Sequence, residues 1–554
     1  MKRSQTIIPA TVLVAGCMIG GASLNTGSGS SGNVVPAGAG PRTRAELTNY
    51  QETSRYTDVF AFLDVLHGRS ELSFGSLAKS TEGRDIPYVV ASRPRVSTPD
   101  EARRLGRPII YVQGNIHAGE VEGKEALLAL VRDLTSSSRT NVLDSIVLIA
   151  VPIYNADGNE KFAQQERNRG SQNGPQLIGE RANGQGLDLN RDYVKAEAPE
   201  TRGALALFNA WDPDVFVDLH TTDGSYHGYA LTYAPPLNPA SPAGPFTRDL
   251  VLPYLRARMQ SRHGFATFDY GDFISDDTLS RGWTTFDPRP RFGTNYYGLR
   301  GRISILSEAY SHDPFQRRVA STYAFVQEIL SLVAKNSEIL RQLTAGASNQ
   351  PSLWNTPRQL TASIPIRSEL VARPDSVAVI AEAIERTGDS SRTEAGVPRG
   401  RRRTGRFTAV RMPVYDRFRP TLFAPPPVAY ALAQTDTQAV RLLRQHGVRV
   451  DSLPETRLAS AETFIADSAI ASARPFQGHR ELRVVGRWMS ERRELRAGSY
   501  LVPTSQPLGL ITIYLLEPLS DDGLVTWNFF DDAFRAGAAY PVLRVMSEPR
   551  PASR

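Results

Sequence analysis

Three apolar runs of strand length each lead into ionisable residues, and this pattern constrains the fold more than any other feature of the chain. The first run opens residues 111–124 (YVQGNIHAGEVEGK), and the others are residues 215–220 (VFVDLH) and 303–308 (ISILSE). Short apolar runs of this kind are typical of strands buried on both faces of a parallel sheet. The carboxyl ends of such strands open into one crevice, so we expect their polar side chains to meet there.

The spacing of histidine and glutamate in the first run is weak evidence when taken alone. The 554 residues include 8 His and 57 Asp or Glu, a composition from which about 0.8 His-x-x-carboxylate pairs are expected by chance. The chain has two, His117/Glu120 and His220/Asp223. The position of His117 and Glu120 at the end of a predicted strand is therefore the stronger indication of a site.

The chain is long enough for two or more domains. Between residues 49 and 343, strand-like runs alternate with helical patterns, which predicts an α/β domain with a mainly parallel or mixed sheet flanked by helices. Residues 108–113 and 145–152 are predicted strands, and residues 122–134 and 315–343 are predicted helices. We take this region as the catalytic domain.

The remainder of the chain, residues 344–554, differs in composition from the first part. Residues 344–405 are rich in Pro and Arg and are predicted to be linker-rich, and residues 406–554 are predicted to form a smaller α/β or β-rich accessory domain. A helix is predicted at 437–446, ended by Gly447. The basic run at 399–406 is interpreted as a solvated linker rather than a nucleic-acid-binding patch.

Near the carboxyl terminus, the turn-rich residues 515–523 precede an aromatic group at 527–530. This order predicts an aromatic core strand after a turn. A functional edge of the accessory domain is the less favoured alternative.

The amino terminus predicts export. Lys2 and Arg3 precede an apolar stretch at 7–19 that is too short to span a bilayer, so residues 1–24 are predicted to be a signal peptide. Residues 13–17 (LVAGC) resemble the lipobox of bacterial lipoproteins, with Cys17 as the lipidated residue. An ordinary signal cleaved within residues 20–24 is the alternative.

Residues 25–48 then form a predicted flexible linker. We expect a protein of the cell envelope or a secreted protein. Its contact with a membrane would be made through the amino-terminal lipid alone.

The residue types at the crevice suit metal-assisted hydrolysis. His117, Glu120 and His220 would give one Zn²⁺ per chain two imidazoles, a carboxylate and an open position for water. Glu308, on an otherwise apolar strand, is the candidate to take a proton from that water and pass it to a leaving amine.

Two arginine segments complete the predicted site. Residues 166–170 (ERNRG) offer Arg167 and Arg169 to stabilise an oxyanion. Arg191, next to the amide of Asn190, could bind the terminal carboxylate of a peptide in a bidentate way.

The ordered set formed by His117-x-x-Glu120, Asp188-x-Asn190-Arg191, His220 and Glu308 resembles the zinc metallocarboxypeptidases, the carboxypeptidase A-like family. The resemblance covers about residues 49–343, and the segment HAGEVEG is more like the bacterial branches.

The resemblance implies an eight-stranded mixed sheet and a peptide substrate with a free carboxyl terminus. It also implies residue roles: zinc ligands at His117, Glu120 and His220, a catalytic glutamate at Glu308, and carboxylate binding by Asn190 and Arg191. For the arginine that polarises the scissile carbonyl, Arg169 is the better match, with Arg167 as the alternative. For the family's substrate-contacting tyrosine, Tyr297 is the match and Tyr296 the alternative, although both lie nearer to Glu308 than the family pattern has it.

Two other functions share parts of this pattern. A deacylase of N-acyl amino acids, similar to aspartoacylase and succinylglutamate desuccinylase, also uses His-x-x-Glu, Asn-Arg and His. A module that binds peptide ends without hydrolysing them is the other alternative. Export and the accessory domain favour peptides as substrates.

Overall fold

The computed structural model describes residues 40–136, 139–275, 278–350, 363–388, 397, 400–534, 537–547 and 550–551. The predicted signal peptide, Cys17 and most of the predicted linker lie outside these residues. The end of that linker is structured, because helix α1 (Arg44–Leu47) begins after Thr43, whose side chain caps it. Among the described residues, no helix combines the length and the apolar character that crossing a bilayer requires.

The first domain alternates strands and helices, as the sequence predicts. Its strands are β1 (Leu72–Lys79), β2 (Asp85–Ala91), β3 (Ile109–Gly114), β4 (Val147–Val151), β5 (Ala163–Gln164), β6 (Leu177–Ile178), β7 (Val215–Thr221), β8 (Leu231–Ala234), β9 (Thr267–Asp269), β10 (Asp272–Phe273), β11 (Trp283–Thr284) and β12 (Ile303–Ala309). After α1, its helices are α2 (Tyr56–Leu66), α3 (Pro99–Leu105), α4 (Glu122–Leu134), α5 (Ala156–Glu160), α6 (Gln165–Asn168), α7 (Pro199–Trp211), α8 (Gly244–Phe246), α9 (Leu252–Arg258), α10 (Gly293–Leu299), α11 (Phe315–Lys335) and α12 (Ser337–Asn349).

Eight of these strands form one mixed sheet in the order β1-β2-β4-β3-β7-β12-β8-β9. Its central strands β4, β3, β7 and β12 are parallel to one another, whereas β1, β2 and β8 introduce antiparallel pairs. Strands β3, β4, β7 and β12 are buried along their whole length, as their apolar sequences predict. The predicted eight-stranded α/β fold is confirmed.

Helices cover both faces of this sheet. Gly123 of α4 lies against Leu219 of β7, whereas Tyr297 of α10 packs on Phe216 of the same strand. Successive side chains of a strand point to opposite faces, so α4 and α10 lie on opposite sides of the sheet.

A close approach of two glycines fixes the amino-terminal end of α4 against the end of β3. A Cβ atom on Gly114 would lie 2.9 Å from the backbone carbon of Gly123, and one on Gly123 would lie 2.8 Å from Cβ of Leu219. Both distances are too short for any side chain. The connection that carries His117 and Glu120 is therefore held close to the sheet.

The long helix predicted at 315–343 is two helices. Helix α11 ends at Lys335 and α12 begins at Ser337, with Asn336 between them at φ −121° and ψ 27°. The Asn336 side chain donates a hydrogen bond to the Leu332 carbonyl at 2.9 Å. Asparagine competes for backbone hydrogen bonds in this way, which an apolar periodicity does not reveal.

The second half of the chain is richer in strands than predicted. Its elements are β13 (Ile364–Ala372), β14 (Val377–Arg386), β15 (Arg401–Met412), β16 (Val414–Ala424), β17 (Ala429–Leu432), α13 (Thr437–Gln445), β18 (Asp451–Ser452), β19 (Arg457–Ala471), β20 (Leu482–Leu495), β21 (Tyr500–Pro503), α14 (Gly509–Leu516), β22 (Leu543–Val545) and β23 (Arg550–Pro551). Strands β17 to β23 form a seven-stranded sheet, and β14 pairs with β15 in a two-stranded ribbon.

The structure differs from three predictions that the sequence made for this half. The segment predicted to be linker-rich contains β13 and β14, and the basic run leads into β15 rather than a solvated linker. Strands β13 and β16 join β10 and β11 in one sheet, so the two halves share main-chain pairing. The core strand predicted after residues 515–523 is wrong, because residues 515 and 516 end α14 and the chain then continues through turns that bury Trp527.

Asp521 lies in those turns and gives the fold a dependence on pH. Burial raises the pKa of Asp521 to about 7, and the neighbouring charge of Asp522 adds to the effect. A pKa raised by folding means that the stabilising contribution is present at low pH and is lost as pH rises through about 7.

We therefore expect Asp521→Asn, which is neutral at every pH, to gain stability relative to the unmodified protein at higher pH. Between about pH 5.5 and 7.5 the difference in unfolding free energy should grow by about 2 kcal/mol. Chemical denaturation of both proteins at the two pH values measures it. The exposed Asp467→Asn is the matched control, and a difference that stays constant with pH would contradict the prediction.

Candidate metal centre and its cavity

The connection after β3 holds His117 and Glu120 in a tight turn. Asn115 has a left-handed φ of 65°, and its amide nitrogen donates to the carbonyls of Ala118 and Glu120 at 3.2 and 3.3 Å. The backbone N–H of Glu120 donates to the His117 carbonyl at 2.9 Å. The turn therefore presents both side chains to the same side.

His220 and Glu308 reach the same place from the two neighbouring strands. Both lie at the carboxyl ends of β7 and β12, and they are direct partners in the register of that parallel pair. The four predicted residues are thus brought together by main-chain pairing and one short turn.

The side chains of His117, Glu120 and His220 fit a zinc ion. Their candidate ligand atoms all lie within 4.8 Å of one another, with Nδ1 of His117 3.0 Å from Glu120 Oε1 and Nδ1 of His220 2.9 Å from Glu120 Oε2. Two imidazoles and a carboxylate are a donor set that zinc accepts in catalytic sites. All three residues are buried.

Two further carboxylates fix the imidazole rings from outside. Nε2 of His117 lies 3.1 Å from Asp188 Oδ1, and Nε2 of His220 lies 3.0 Å from Asp218 Oδ2. With Nε2 directed at these carboxylates, each ring turns its Nδ1 toward Glu120. Carboxylates in this position orient metal-binding histidines and raise their basicity.

Glu308 is a buried carboxyl group beside this centre. Its side chain is 7% exposed, and Oε2 has no hydrogen-bond partner among the described residues. Burial raises the pKa of Glu308 well above its ordinary range, although the charge of His220 opposes the shift. A carboxyl group in such surroundings is suited to taking up and releasing a proton.

These residues line one cavity of about 260 Å³. Its lining residues are His117, Glu120, Arg181, Asn190, Arg191, His220, Thr221, Asp223, Tyr270, Asp272, Phe286, Phe292, Thr294, Leu306 and Glu308.

Arg169 lies behind the centre and is absent from the residues that line the cavity. Its Nη1 donates to Glu120 Oε1 at 2.7 Å, and its Nη2 donates to the carbonyls of Thr221 and Thr222. Burial alone would raise the pKa of Glu120, but the charges of His117 and Arg169 hold it well below its usual range. In this position Arg169 orients Glu120 rather than facing a substrate. Arg167 is exposed and does not line the cavity either.

Arg181 is the arginine that sequence reasoning missed. It lines the cavity, its Nη1 lies 3.1 Å from His117 Nδ1, and its Nε and Nη2 donate to Asp188 Oδ2 at 2.9 and 2.8 Å. The signal available in the sequence was its place in RANGQGLDLNR, a Gly/Asn-rich turn that leads directly to Asn190.

Asn190 and Arg191 lie in the cavity as predicted. They belong to a 3-10 turn (Leu189–Arg191) capped by the Asp188 side chain, which accepts the Asn190 backbone N–H at 3.0 Å. The Asn190 side-chain oxygen accepts the backbone N–H of Gly293 at 2.9 Å. The guanidinium of Arg191 lies 3.9 Å from the ring centre of Phe292.

Tyr297 is a core residue rather than a cavity residue. Its ring packs between Phe208 and Phe216 at centroid distances of 4.0 and 4.3 Å, and its side chain is fully buried. Tyr296 is also buried and its hydroxyl lies 2.8 Å from His446 Nδ1. Helix α10 turns both rings into the domain, so neither contacts the cavity.

Comparison with known proteins agrees with this centre. Residues 60–238 match the sequence model of the Peptidase_M14 family, described as zinc carboxypeptidase. The chain contains a Peptidase_M14 zinc carboxypeptidase domain. The predicted family and the predicted enzyme class, a zinc metallocarboxypeptidase, are thereby confirmed, and the family's dependence on zinc accords with the His-Glu-His group.

Several carboxypeptidases are similar to this chain. Carboxypeptidase 2 of Trichophyton tonsurans is 24% identical over 488 residues, which cover 84% of this chain and 81% of that protein. Mouse carboxypeptidase M is 31% identical over 175 residues, 29% of this chain and 35% of that protein. Among solved structures, a metallo-carboxypeptidase from Burkholderia cenocepacia aligns with 51% of this chain and 70% of its own, at 18% identity and a TM-score of 0.38.

The contact between Asp218 and His220 leads to a prediction about metal affinity. We expect the protein to bind one zinc ion per chain and His117→Ala or His220→Ala to abolish that binding. Asp218→Asn should weaken zinc binding by about 10–100-fold, because His220 loses the carboxylate that orients it. Competition with a chromogenic chelator measures the affinities. Asp223→Asn, which also removes a carboxylate near the cavity, is the control, and equal affinities for the two variants would contradict this role of Asp218.

Proposed function

We propose that this protein removes the carboxyl-terminal residue of peptides by zinc-dependent hydrolysis. The observation that carries the proposal is the placement of Asn190 and Arg191 in the cavity that also contains His117, Glu120, His220 and Glu308. An arginine and an amide at one wall provide charge-assisted hydrogen bonds for a chain-terminal carboxylate.

His117, Glu120 and His220 would hold one zinc ion per chain. When bound, zinc lowers the pKa of a coordinated water to about 7 and polarises a carbonyl group. Asp188 and Asp218 maintain the ring orientations that this binding requires.

Glu308 would accept a proton from the attacking water and deliver it to the departing amine. Its placement next to His220 in the strand register sets it beside the proposed zinc ligands. A group that both takes up and releases a proton needs a pKa near the working pH, and burial moves the pKa of Glu308 in that direction.

Arg181 would stabilise the oxyanion that forms at the scissile carbonyl. We assign this role to Arg181 in place of Arg169, because the Arg181 guanidinium borders the cavity next to His117. Its two hydrogen bonds to Asp188 fix the guanidinium before a substrate arrives. Fixed donors of this kind stabilise developing charge without reorganisation.

Asn190 and Arg191 would bind the free carboxylate of the last residue. The guanidinium of Arg191 lies over the Phe292 ring at 3.9 Å from its centre, a contact that limits the positions of the guanidinium. The cavity volume of about 260 Å³ lies just below the range of roughly 300–1,000 Å³ that is usual for ligand pockets. A cavity of this size suits a single terminal residue.

We also propose that the protein is exported, on the evidence of the apolar stretch at residues 7–19 and the LVAGC segment at 13–17. Mass spectrometry of the mature amino terminus distinguishes a lipid-modified Cys17 from cleavage within residues 20–24. A mature chain that begins at Met1 would exclude both.

The polarity of the reaction is the first test. Zinc-loaded protein should shorten unmodified peptides from the carboxyl end and spare the same peptides with an amidated carboxyl terminus. Glu308→Gln should lower turnover by about 10²–10⁴-fold with zinc content unchanged, because the variant cannot transfer the proton. Mass spectrometry of products and metal analysis measure the two effects.

Each alternative predicts a different result from that experiment. Residues lost from the amino end would contradict the role of Arg191. Activity on N-acyl amino acids without activity on peptides would indicate a deacylase. A protein that binds peptide ends with no turnover would be a binding module.

Substitutions of Arg181 and Arg169 provide a second test of the proposed function. Arg181→Ala should lower kcat/KM by about 10²–10³-fold, because an oxyanion donor is lost. Its thermal stability should stay near that of the parent protein, since the side chain is 39% exposed. Arg169→Ala should instead lower zinc retention and stability, because it removes the guanidinium that donates to Glu120 and to two buried carbonyls.

Steady-state kinetics, metal analysis and thermal denaturation of both variants separate these effects, with the exposed Arg167→Ala as the control. The assignment is wrong if Arg169→Ala loses turnover with zinc and stability intact while Arg181→Ala is unaffected.

A further inference from the structure

Two turns of the carboxyl-terminal half meet the catalytic half at Arg291. Arg291 is 2% exposed, and its Nε, Nη2 and backbone N–H all donate to the carboxylate of Asp522, at 3.1, 2.8 and 2.8 Å. Its Nη1 donates to Glu481 at 2.5 Å. Trp527 completes the contact, since its Nε1 donates to Asp522 at 3.0 Å and its ring centre lies 4.5 Å from the guanidinium.

The two residues that follow Arg291 touch both members of the proposed carboxylate-binding pair. The Phe292 ring supports the guanidinium of Arg191 at 3.9 Å. The backbone N–H of Gly293 donates to the side-chain oxygen of Asn190 at 2.9 Å. The position of the Arg291 backbone therefore determines where Asn190 and Arg191 are held.

A second contact from the carboxyl-terminal half reaches the turn Leu189–Arg191, at the residue that precedes it. Gln477, in the loop between β19 and β20, accepts the backbone N–H of Asp188 through its side-chain oxygen at 2.9 Å. The Asp188 side chain caps the 3-10 turn that contains Asn190 and Arg191. Gln477 adopts a left-handed φ of 51°, a conformation that a non-glycine residue keeps only when its surroundings hold it.

The structure assigns to the carboxyl-terminal domain a part in substrate binding: we propose that Asp522, through Arg291, and Gln477, through Asp188, position Asn190 and Arg191 for the terminal carboxylate of the peptide. Both are positioning residues, since neither lines the cavity. The inference rests on the proposed function of Asn190 and Arg191. Asp522 and Trp527 lie in the segments at 515–523 and 527–530, for which the sequence left a functional edge as the alternative to a core strand.

The burial and charge of the Asp522–Arg291 pair explain why Asp522 fixes the position of Arg291. Asp522 is fully buried, and its carboxylate accepts hydrogen bonds from the guanidinium and backbone N–H of Arg291 and from the indole of Trp527. Removing the charge of one partner leaves a buried guanidinium incompletely paired, and a buried charge in that state drives local rearrangement. Displacement of a binding group by about 1 Å is enough to weaken catalysis by about 10²-fold.

The test compares binding of one peptide in two forms. In the Glu308→Gln background, which prevents turnover, calorimetry gives the Kd of a zinc-loaded protein for a tripeptide with a free carboxyl terminus and for its amide. Asp522→Asn should weaken binding of the free acid by about tenfold and leave the weaker binding of the amide unchanged. With Glu308 present, KM for the free acid should rise more than kcat falls.

Two control variants separate this effect from a general loss of stability. Asp521→Asn removes the adjacent carboxylate, whereas the hydrogen bonds of Arg291 described above go to Asp522 and Glu481. Glu517→Gln removes the acid of another buried pair within the same domain, with Arg544 at 2.6 Å. Both controls should retain the preference of the parent protein for the free acid.

The outcomes are distinguishable. If Arg191→Lys also retains the full preference for the free acid, the proposed function fails. If Arg191→Lys loses that preference and a folded Asp522→Asn keeps it, the inference is overturned.

Should Asp522→Asn not fold, Gln477→Ala replaces it, because that half-buried side chain contributes a single contact to the turn. Gln477→Ala should reduce the preference by about threefold, and an unchanged preference would then overturn the inference.

Discussion

The parallel pairing of β3, β7 and β12 is the constraint on which the site depends. It places the turn with His117 and Glu120, the end of β7 and the end of β12 at one edge of the sheet, with Glu308 directly opposite His220. Side chains alternate between the two faces of a strand, so a slip of one residue in either pair would send His220 or Glu308 to the wrong face. The apolar interior of the sheet thus fixes the positions of polar groups at its edge.

Charged residues, rather than apolar packing, set the fine geometry of that edge. Asp188 and Asp218 orient the imidazoles, and Arg169 holds Glu120 from behind. Buried charges of this kind are stable only when each has its partner, which makes the network sensitive to the loss of any member. The pair of Asp522 and Arg291 extends the same principle to the carboxyl-terminal half, where one buried contact joins two domains next to the proposed substrate site.

The sequence predicted the parts of the molecule that depend on local pattern. Buried strands with ionisable ends identified His117, Glu120, His220 and Glu308, because strand direction and side-chain alternation are legible in a single chain. The choice of Arg181 over Arg169 could not be made in that way, since it depends on which loop arginine faces the cavity. Strand β13 of the predicted linker was missed because its partner is β16, which lies beyond β14 and β15 in the chain.

Three side chains from two strand ends converge at one place and would together bind one divalent ion. The most direct measurement is anomalous diffraction at the zinc absorption edge from crystals of the zinc-loaded protein. This convergence predicts a single strong peak per chain in bonding contact with His117, Glu120 and His220, with Glu308 beside it. A peak held by other residues, or imidazoles of His117 and His220 turned away from each other, would contradict it.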